Sequence, residues 1–491
     1  MKKTVMICFV LLLFMAASVQ GFALQIPGYE GGIQNEMAYR EVIFITGEPI
    51  VVEGTLNITD RGDRVSYIYR DLSNAARGVT MTRNVTIDKE IIENGSGQRQ
   101  EIYSVSRYRE SIRVDGVRYE LTEQNHPWSK SNIYHQKPGV TYFAGNWDGK
   151  KVYTINRNEG SVTVQTTGNV VGYDHNWGTT ETQTISHYID YDRQVDEEDS
   201  IRWQGTVEVD VANNRTKSYH YEPNTPSQIS FRGGYLLTQR DESVLKYSYD
   251  LPRVDEEGFT LRGRNIGTES TSLNTNPMNQ RLTIPAMRDI SGHWAERHVL
   301  LLASLEAVYP NSTDFGPNLP MSRGDFARAV AILMDIKQEE PENIRRIRGQ
   351  EPVEAPQTFN DVSQAHPNQS FIEAVYERGI MAGVGDNSFK PNESLTRAQA
   401  AVVLIKALGF ENLAPIQQYS TGFRDDQHIP LWARNAVYLA RELGLVSGST
   451  DGYYYPNNTL TKAEAAAMLT NFIDYLREDI RYDYRERILN Y

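Results

Sequence analysis

Three basic residues occupy equivalent places in the C-terminal half of this 491-residue sequence. Arg323, Arg397 and Lys462 each lie six residues after the proline of an aromatic-x-Pro corner, and Ser or Thr directly precedes each of them. An acidic or amide residue follows three positions after that Ser or Thr, a capping-box pattern that places the cation first in a helix. A cation there opposes the helix dipole. Because it recurs three times, we predict that it pairs with an acidic ligand, although simple solvation remains the alternative at any one site.

A leading half precedes each of these helices. It consists of an acidic corner, a short loop and an amphipathic pattern typical of a second helix. The acidic candidates are Asp289, Asp361 and either Asp425 or Asp426, of which we take Asp426 as the site residue. The repeating unit is therefore helix, glycine turn, extended aromatic-Pro stretch, helix.

Two tryptophans and two glycines complete the candidate site. Trp294 and Trp432 stand where leading helices start, and a tryptophan there either anchors a core or offers a flat face to a sugar ring. Gly383 and Gly448 are expected to end turns, although glycine also lets a ligand approach the backbone closely. The corner aromatics are expected to be core wedges; they are Phe315, Phe389 and Tyr454.

The sequence before residue 280 has a period of two and is rich in Tyr, Thr and Val, which predicts an antiparallel β-region. Asp115-Gly116 and Asp148-Gly149 each predict a hairpin turn, because Asp-Gly tolerates positive backbone angles. The segments beginning at Glu53 and at Gln204 resemble each other. If that likeness is real, two similar β-units pack together as a sandwich. The polar, turn-rich stretch 268–280 is expected to end the region.

Composition limits the possible functions. The net charge of -13 argues against a broad nucleic-acid surface, so no nucleic-acid partner is expected. Residues 1–23 match a secretory signal, and nothing later is apolar enough to predict a membrane span. The only cysteine, Cys8, lies in that signal, so the mature chain has no disulfide. The sequence shows no local catalytic, cofactor or metal motif; an enzyme stays open, since paired carboxylates leave little local signature.

The three repeats resemble the S-layer homology domain in the order of their Asp, Trp-Ala, Gly, Phe-x-Pro and Thr-Arg-Ala-Glu elements, across roughly 287–477. The resemblance implies a pseudo-threefold helical bundle that holds an exported protein on a bacterial wall. It further implies that a pyruvylated secondary cell wall polysaccharide is bound, with the basic residues meeting its carboxylate. The groove candidates carried over are Arg323, Arg397, Lys462, Trp294, Trp432, Asp289, Asp361, Asp426, Gly383 and Gly448.

The sequence also departs from this family pattern. The first repeat lacks the expected glycine, the second has His366 where the first has Trp294, and Lys462 loses the bidentate fork of arginine. One or two competent grooves are therefore expected, with Arg397 the strongest candidate.

The predicted fold is α+β and multidomain, with an all-β N-terminal region and an all-α C-terminal bundle. The predicted segments are a signal at 1–23, the β-region at 24–280, repeats at 285–340, 358–410 and 422–477, a linker at 341–357 and a tail at 478–491. The predicted function is a secreted wall or S-layer protein anchored to an anionic glycan, without a cofactor. A wall-anchored glycan hydrolase and a self-associating S-layer subunit remain the alternatives.

Overall fold

The structure is a computed structural model, and it describes residues 31–95, 97–195, 197, 199–223, 233–255, 258–309, 313–336, 358–416 and 419–480. The expected signal peptide, the linker at 341–357 and most of the tail at 478–491 lie outside these residues. Among the described residues, no helix is both long and apolar enough to cross a bilayer.

The N-terminal region consists of β-strands whose side chains alternate between buried and exposed, as a sheet with one covered face requires. In the longest strand, Val207, Val209 and Val211 are buried while the residues between them face outward. The strands are β1 (Ile33–Asn35), β2 (Ala38–Ile43), β3 (Ile50–Asp60), β4 (Arg64–Asn74), β5 (Val79–Asn94), β6 (Gln98–Val114), β7 (Val117–Thr122), β8 (Trp128–Gln136), β9 (Thr141–Ile155), β10 (Gly160–His175), β11 (Gly178–Gln194), β12 (Ser200–Glu222), β13 (Gly234–Val254), β14 (Thr260–Asn274) and β15 (Met278–Leu282).

All of these strands belong to one 15-stranded antiparallel sheet, which confirms the predicted all-β region. The order follows the chain, except that β8 pairs with β6 and β9, and β15 pairs with β13. The sheet curls until its first strands meet its last. Arg40 Nη1 donates to Thr271 Oγ1 at 2.7 Å, and Ser243 Oγ donates to Gln34 O at 3.1 Å. The inner face therefore encloses an apolar core; its members include Leu56, Ile112, Trp147, Ile185 and Leu251.

One of the two predicted hairpins is wrong. Asp148 and Gly149 lie inside β9, which is paired with β8 on one side and β10 on the other. The chain reverses at Asn156 and Arg157, which have φ values of 40° and 71°. The turn expected from Asp-Gly does not form here, because continuous pairing with two neighbouring strands holds the backbone extended.

The hairpin at Asp115 and Gly116 is confirmed, since it joins β6 to β7 with φ values of 47° and 85°. The expected likeness between the segments at Glu53 and Gln204 does not extend to their structures. The first segment turns between β3 and β4, whereas the second lies within β12, which runs without a turn to Glu222.

The enclosed core also contains charged side chains. Arg83 is 5% exposed, and it donates to Glu41 Oε2 and Glu110 Oε2 at 2.6 Å each. Tyr153 Oη donates to Glu110 Oε1 at 2.7 Å, and Lys151 Nζ lies 3.8 Å from Glu110 Oε2. Burial alone would raise the pKa of Glu110, but Arg83 and Lys151 outweigh it and hold that pKa well below the usual range. The buried charges are therefore paired, as burial demands.

The C-terminal region is helical, as predicted. We call the first helix of each repeat the leading helix and the second the trailing helix. The leading helices are α1 (Glu296–Ser304), α3 (Gln369–Glu377) and α5 (Leu431–Glu442), and the trailing helices are α2 (Arg323–Leu333), α4 (Arg397–Leu408) and α6 (Lys462–Asp474). Each leading helix packs against a trailing helix of another repeat: α1 against α6, α3 against α2, and α5 against α4.

The β-region packs directly against the helical region. Val140, Tyr142, Tyr173 and Trp177 belong to the same buried apolar core as the helices. Hydrogen bonds from the β-region to the C-terminal ends of the trailing helices include Gly139 N to Ala407 O (3.0 Å), Trp177 Nε1 to Leu333 O (2.8 Å) and Tyr219 Oη to Asp474 Oδ1 (2.7 Å).

Candidate functional site

Backbone hydrogen bonds at the trailing-helix N-termini join the three repeats in a ring. Ser322, Thr396 and Thr461 cap these helices, with capping boxes at the second and third, as predicted. The first two N–H groups of each helix donate to the corner segment of the next repeat at 2.8–3.1 Å: Arg323 and Gly324 to Glu393 and Pro391, Arg397 and Ala398 to Asn458 and Pro456, and Lys462 and Ala463 to Leu319 and Pro317. These N–H groups therefore donate to carbonyl groups of the protein and are not available to an anionic ligand.

The predicted cations complete the same joints. Each stacks on the aromatic residue of the next corner: Arg323 Cζ 4.9 Å from the Phe389 ring centre, Arg397 Cζ 4.9 Å from that of Tyr454, and Lys462 Nζ 5.7 Å from that of Phe315. Each also donates to the backbone carbonyl of that aromatic residue, at 2.9, 2.8 and 3.4 Å. The three aromatic side chains are buried, as predicted. Aromatic, proline and cation recur together because they form one inter-repeat contact.

The acidic corners hold the aromatic corners in place. One carboxylate in each repeat accepts two successive backbone N–H groups: Asp289 from Phe315 and Gly316, Asp361 from Phe389 and Lys390, and Asp425 from Tyr454 and Tyr455, all at 2.6–2.8 Å. In the third repeat this residue is Asp425, so the choice of Asp426 was wrong for this position. Asp426 instead accepts from Thr421 and pairs with Arg434.

These contacts shift the acid–base behaviour of two of the carboxyl groups. Burial by itself would raise the pKa of Asp289, but hydrogen bonds from the N–H groups of Phe315 and Gly316 outweigh it and lower that pKa. The pKa of Asp361 is lowered in the same way, with Phe389 N–H as the first contributor against burial. Both groups are therefore held as carboxylates that stabilise the corners.

The two tryptophans are on the surface. Trp294 is 62% exposed and Trp432 is 60% exposed, so neither anchors a core and each presents ring surface that a ligand can reach. In the second repeat the backbone contacts of His366 match those of His293, which puts Pro367 in the place of Trp294. The second repeat therefore has no tryptophan at this position.

The two glycines are required by packing. A Cβ on Gly383 would lie 2.8 Å from both Phe359 Cε1 and Ser388 O, and a Cβ on Gly448 would lie 3.1 Å from Phe423 Cε1 and Tyr453 O. Close approach of the turn to the following corner thus explains both residues. In the first repeat this position is Pro310, which lies outside the described residues.

The groove beside α4 has a lining suited to an anion. Its volume is about 120 Å³, and it is lined by Arg323, Ile380, Met381, Ala382, Leu395, Gln399, Val402, Val403, Lys406 and Trp432. Arg323 uses Nε and Nη2 on the carbonyls of Phe389 and Ala382. In the described part of the chain, neither its Nη1 group nor the Lys406 ammonium has a hydrogen-bonding or ion-pair partner. The lining thus combines two cations and an exposed tryptophan with no carboxylate.

The equivalent position beside α6 differs in one decisive residue. Glu464 occupies the third helical position, where α4 has Gln399, and its Oε1 accepts from Arg397 Nη1 at 2.8 Å. Arg397 also donates to the carbonyls of Tyr454 and Ser447. Its positive charge is therefore compensated within the protein, which weakens the case for Arg397 as the strongest ligand contact.

The groove beside α2 mixes both signs of charge. Its volume is about 80 Å³, and Lys462 and Arg328 line it together with Asp314 and Asp325. Asp325 accepts from Tyr309 Oη at 2.6 Å. An anionic ligand would meet two carboxylates here, so this groove is less suited to it than the groove beside α4.

Comparison with known proteins relates the helical region to a known family. The family model described as "S-layer homology domain" matches residues 286–327, 358–401 and 422–466. The C-terminal region therefore contains three S-layer homology repeats. Similar proteins include an amylopullulanase of Thermoanaerobacterium thermosulfurigenes, 32% identical over 38% of this chain and 9% of that protein. An exoglucanase of Acetivibrio thermocellus is 30% identical over 38% of this chain and 16% of its own length.

An S-layer protein of Bacillus licheniformis is 30% identical over 23% of this chain and 13% of that protein. The chain thus spans 9–16% of the length of these relatives. The S-layer homology repeats and these cell-surface relatives confirm the expected localisation, a secreted protein at the cell wall or S-layer surface.

Sequence reasoning missed two groove residues of the S-layer homology region. Gln399 was noted only as part of a capping box, and Lys406 was not singled out. The signal for both was available: the acidic residue at the third helical position in α2 and α6 is an amide in α4, and Lys406 follows Gln399 by seven positions, on the same helix face.

Proposed function

We propose that the S-layer homology repeats anchor this cell-surface protein by binding an anionic, pyruvylated secondary cell wall polysaccharide in the groove beside α4. The single observation that carries the proposal is the lining of that groove, where Arg323 and Lys406 face no carboxylate and Trp432 is exposed beside them. The Arg323 guanidinium provides a charge-assisted hydrogen bond to the pyruvyl carboxylate, and Trp432 packs on a sugar ring.

Burial sharpens the role of Arg323. The residue is 7% exposed, and burial lowers the pKa of its guanidinium, an effect that Glu393 and Asp361 partly offset. A partly buried cation with one donor group left over gains more from an anion than a solvated one does, because less water must be displaced. The ring of backbone contacts also supports the pseudo-threefold arrangement inferred for the repeats, and it keeps the groove shape fixed before binding.

The test exchanges the residue that distinguishes two grooves. Full-length protein is sedimented with purified walls before and after removal of the non-peptidoglycan polysaccharide. Gln399→Glu should place a carboxylate opposite Arg323, as Glu464 stands opposite Arg397, and weaken wall binding by about tenfold, the equivalent of one charge-assisted hydrogen bond. Glu464→Gln should leave Arg397 uncompensated and strengthen binding. Wall binding that survives stripping and ignores both substitutions would contradict the proposal.

The hydrolase alternative has weaker support. Two relatives are named as glycan hydrolases, but a catalytic carboxylate pair needs an acid held protonated by burial in a cleft. The carboxylates that line the broad groove on the outer face of the β-region are exposed or half-buried; they are Glu123, Asp148, Glu208 and Asp250. We therefore assign the β-region a binding role.

A further inference from the structure

A broad open groove of about 1220 Å³ crosses the outer face of the sheet from β9 to β14. We call it the transverse groove, and its floor includes Asp148, Thr167, Ser186, Tyr188, Thr206 and Glu208. Strand register places these residues in rows that run across the strands, since Thr167 faces Asp148 and Ser186, and Ser186 faces Glu208. Five steps between neighbouring strands at about 4.8 Å each give a groove about 24 Å long.

The six floor side chains named above differ from those next to the groove. Next to it on the same outer face, cross-strand pairs are joined: Thr184 Oγ1 to Asp210 Oδ1 at 3.1 Å, and Gln204 Nε2 to Asp190 Oδ1 at 3.3 Å. Within the described residues, the side chains of all six floor residues named above have no hydrogen-bonding or ion-pair partner. The polar groups of these residues, on β9 to β12, are therefore available to a ligand. At the far end of the groove, Ser248 and Thr268 are joined to each other at 3.0 Å and Asp250 pairs with Arg264.

The chemistry of the floor selects the ligand. Thr167, Ser186 and Thr206 offer hydroxyl groups, which both donate and accept, and Asp148 and Glu208 accept only. Tyr188, 39% exposed, adds an aromatic face. The lining contains four carboxylates, of Glu123, Asp148, Glu208 and Asp250, and one lysine, Lys150. This excess of negative charge makes the groove unsuited to the acidic polysaccharide proposed for the repeats. A neutral, hydroxyl-rich ligand matches these donors, acceptors and the ring.

The direction of the groove argues against a peptide. Extended peptides bind sheets by adding a strand parallel to an open edge, where backbone groups are unpaired. Here the ligand would lie across β9 to β13, whose backbone groups are already used by their neighbours. Contacts must therefore come from side chains, which is how hydroxyl groups of a sugar chain are held.

We infer that the transverse groove binds an extended neutral glycan, whose hydroxyl groups donate to the groove's carboxylates and exchange hydrogen bonds with its hydroxyl groups, and whose sugar rings pack on Tyr188. The site is separate from the grooves of the S-layer homology repeats and takes a ligand of different charge. The β-region would then supply a second, uncharged glycan contact to a protein already held at the wall.

Titration calorimetry of the full-length protein with four linear probes tests this: cellohexaose, fully N-acetylated chitohexaose, maltohexaose and xylohexaose. Binding of at least one is expected. Tyr188→Ala should weaken it about tenfold, as expected for loss of one central aromatic contact, and Thr206→Arg should weaken it further by filling the groove. Thr184→Ala, on the same face of β11 but outside the groove, is the matched control, and thermal unfolding checks that each variant folds.

Gln399→Glu should leave binding of the hexasaccharide unchanged, which separates this site from the repeats. The inference is overturned if none of the four sugar probes binds, or if the Tyr188→Ala and Thr206→Arg variants bind them as tightly as the unsubstituted protein does. Binding of hexalysine in place of the sugars would also overturn it, because the groove would then select a cationic ligand.

Discussion

Replacing Asp425 by alanine should strongly destabilise the third repeat. Asp425 is 6% exposed, and its two oxygens accept the N–H groups of Tyr454 and Tyr455 at 2.8 Å each. A buried N–H left without an acceptor costs about 1–3 kcal/mol. Tyr454 is completely buried, whereas Tyr455 is 43% exposed, so water can replace the lost carboxylate more readily at the N–H of Tyr455 than at that of Tyr454. The expected loss in free energy of unfolding is therefore about 2–4 kcal/mol.

Urea denaturation followed by tryptophan fluorescence measures this loss, because Trp432 lies in the same repeat. Asp451→Ala is the control, since Asp451 is an exposed carboxylate near the same corner and its loss should change stability by less than about 0.5 kcal/mol. Equal unfolding free energies for the two variants would refute the role given to Asp425. A loss confined to Asp425→Ala would support carboxylate clamping as the reason for the acidic residue in each repeat.

Three further predictions concern other parts of the molecule. Glu306→Gly should raise the unfolding free energy by about 0.5–1 kcal/mol in urea denaturation, because Glu306 has φ 60° where the other repeats have glycine. The free energy of unfolding should decrease below about pH 4. The pKa values of Asp289 and Asp361 are lowered in the folded protein, so these carboxylates stabilise it above the ordinary aspartate pKa, and this contribution is lost as the pH falls through the folded-state values. The urea midpoint measured as a function of pH would show the decrease. Glu110→Gln should cost about 3–5 kcal/mol, measured by thermal unfolding, because two buried cations, Arg83 and Lys151, would then share the single carboxylate of Glu41.

The local features of the repeats could be predicted from the sequence. Arg397 and Lys462 are the first residues of their helices, directly after a capping residue. This placement was predictable because a capping box involves only four neighbouring residues. The partner of each cation could not be predicted in this way. Arg397 stacks on Tyr454, 57 positions away, and that contact exists only after the repeats close into a ring.

Errors arose where local signals were ambiguous. Asp425 and Asp426 are adjacent, and spacing alone cannot tell which of them points at the corner amides. The turn predicted at Asp148-Gly149 is overridden by strand pairing on both sides, a tertiary effect that turn propensity does not contain. The transverse groove depends on register across six strands and on the outward row at each, so no single stretch of sequence reveals it.

The docking of the two regions links the proposed binding sites. The contacts from Gly139 and Trp177 end on the carbonyls of Ala407 and Leu333, at the C-terminal ends of α4 and α2, where helix carbonyls otherwise need water or a cap. The apolar core continues through this interface. Lys406, which lines the groove beside α4, is therefore next to a residue bonded to the β-region. A flexible linker would let the β-region take many orientations, whereas this interface fixes the position of the transverse groove relative to the groove beside α4.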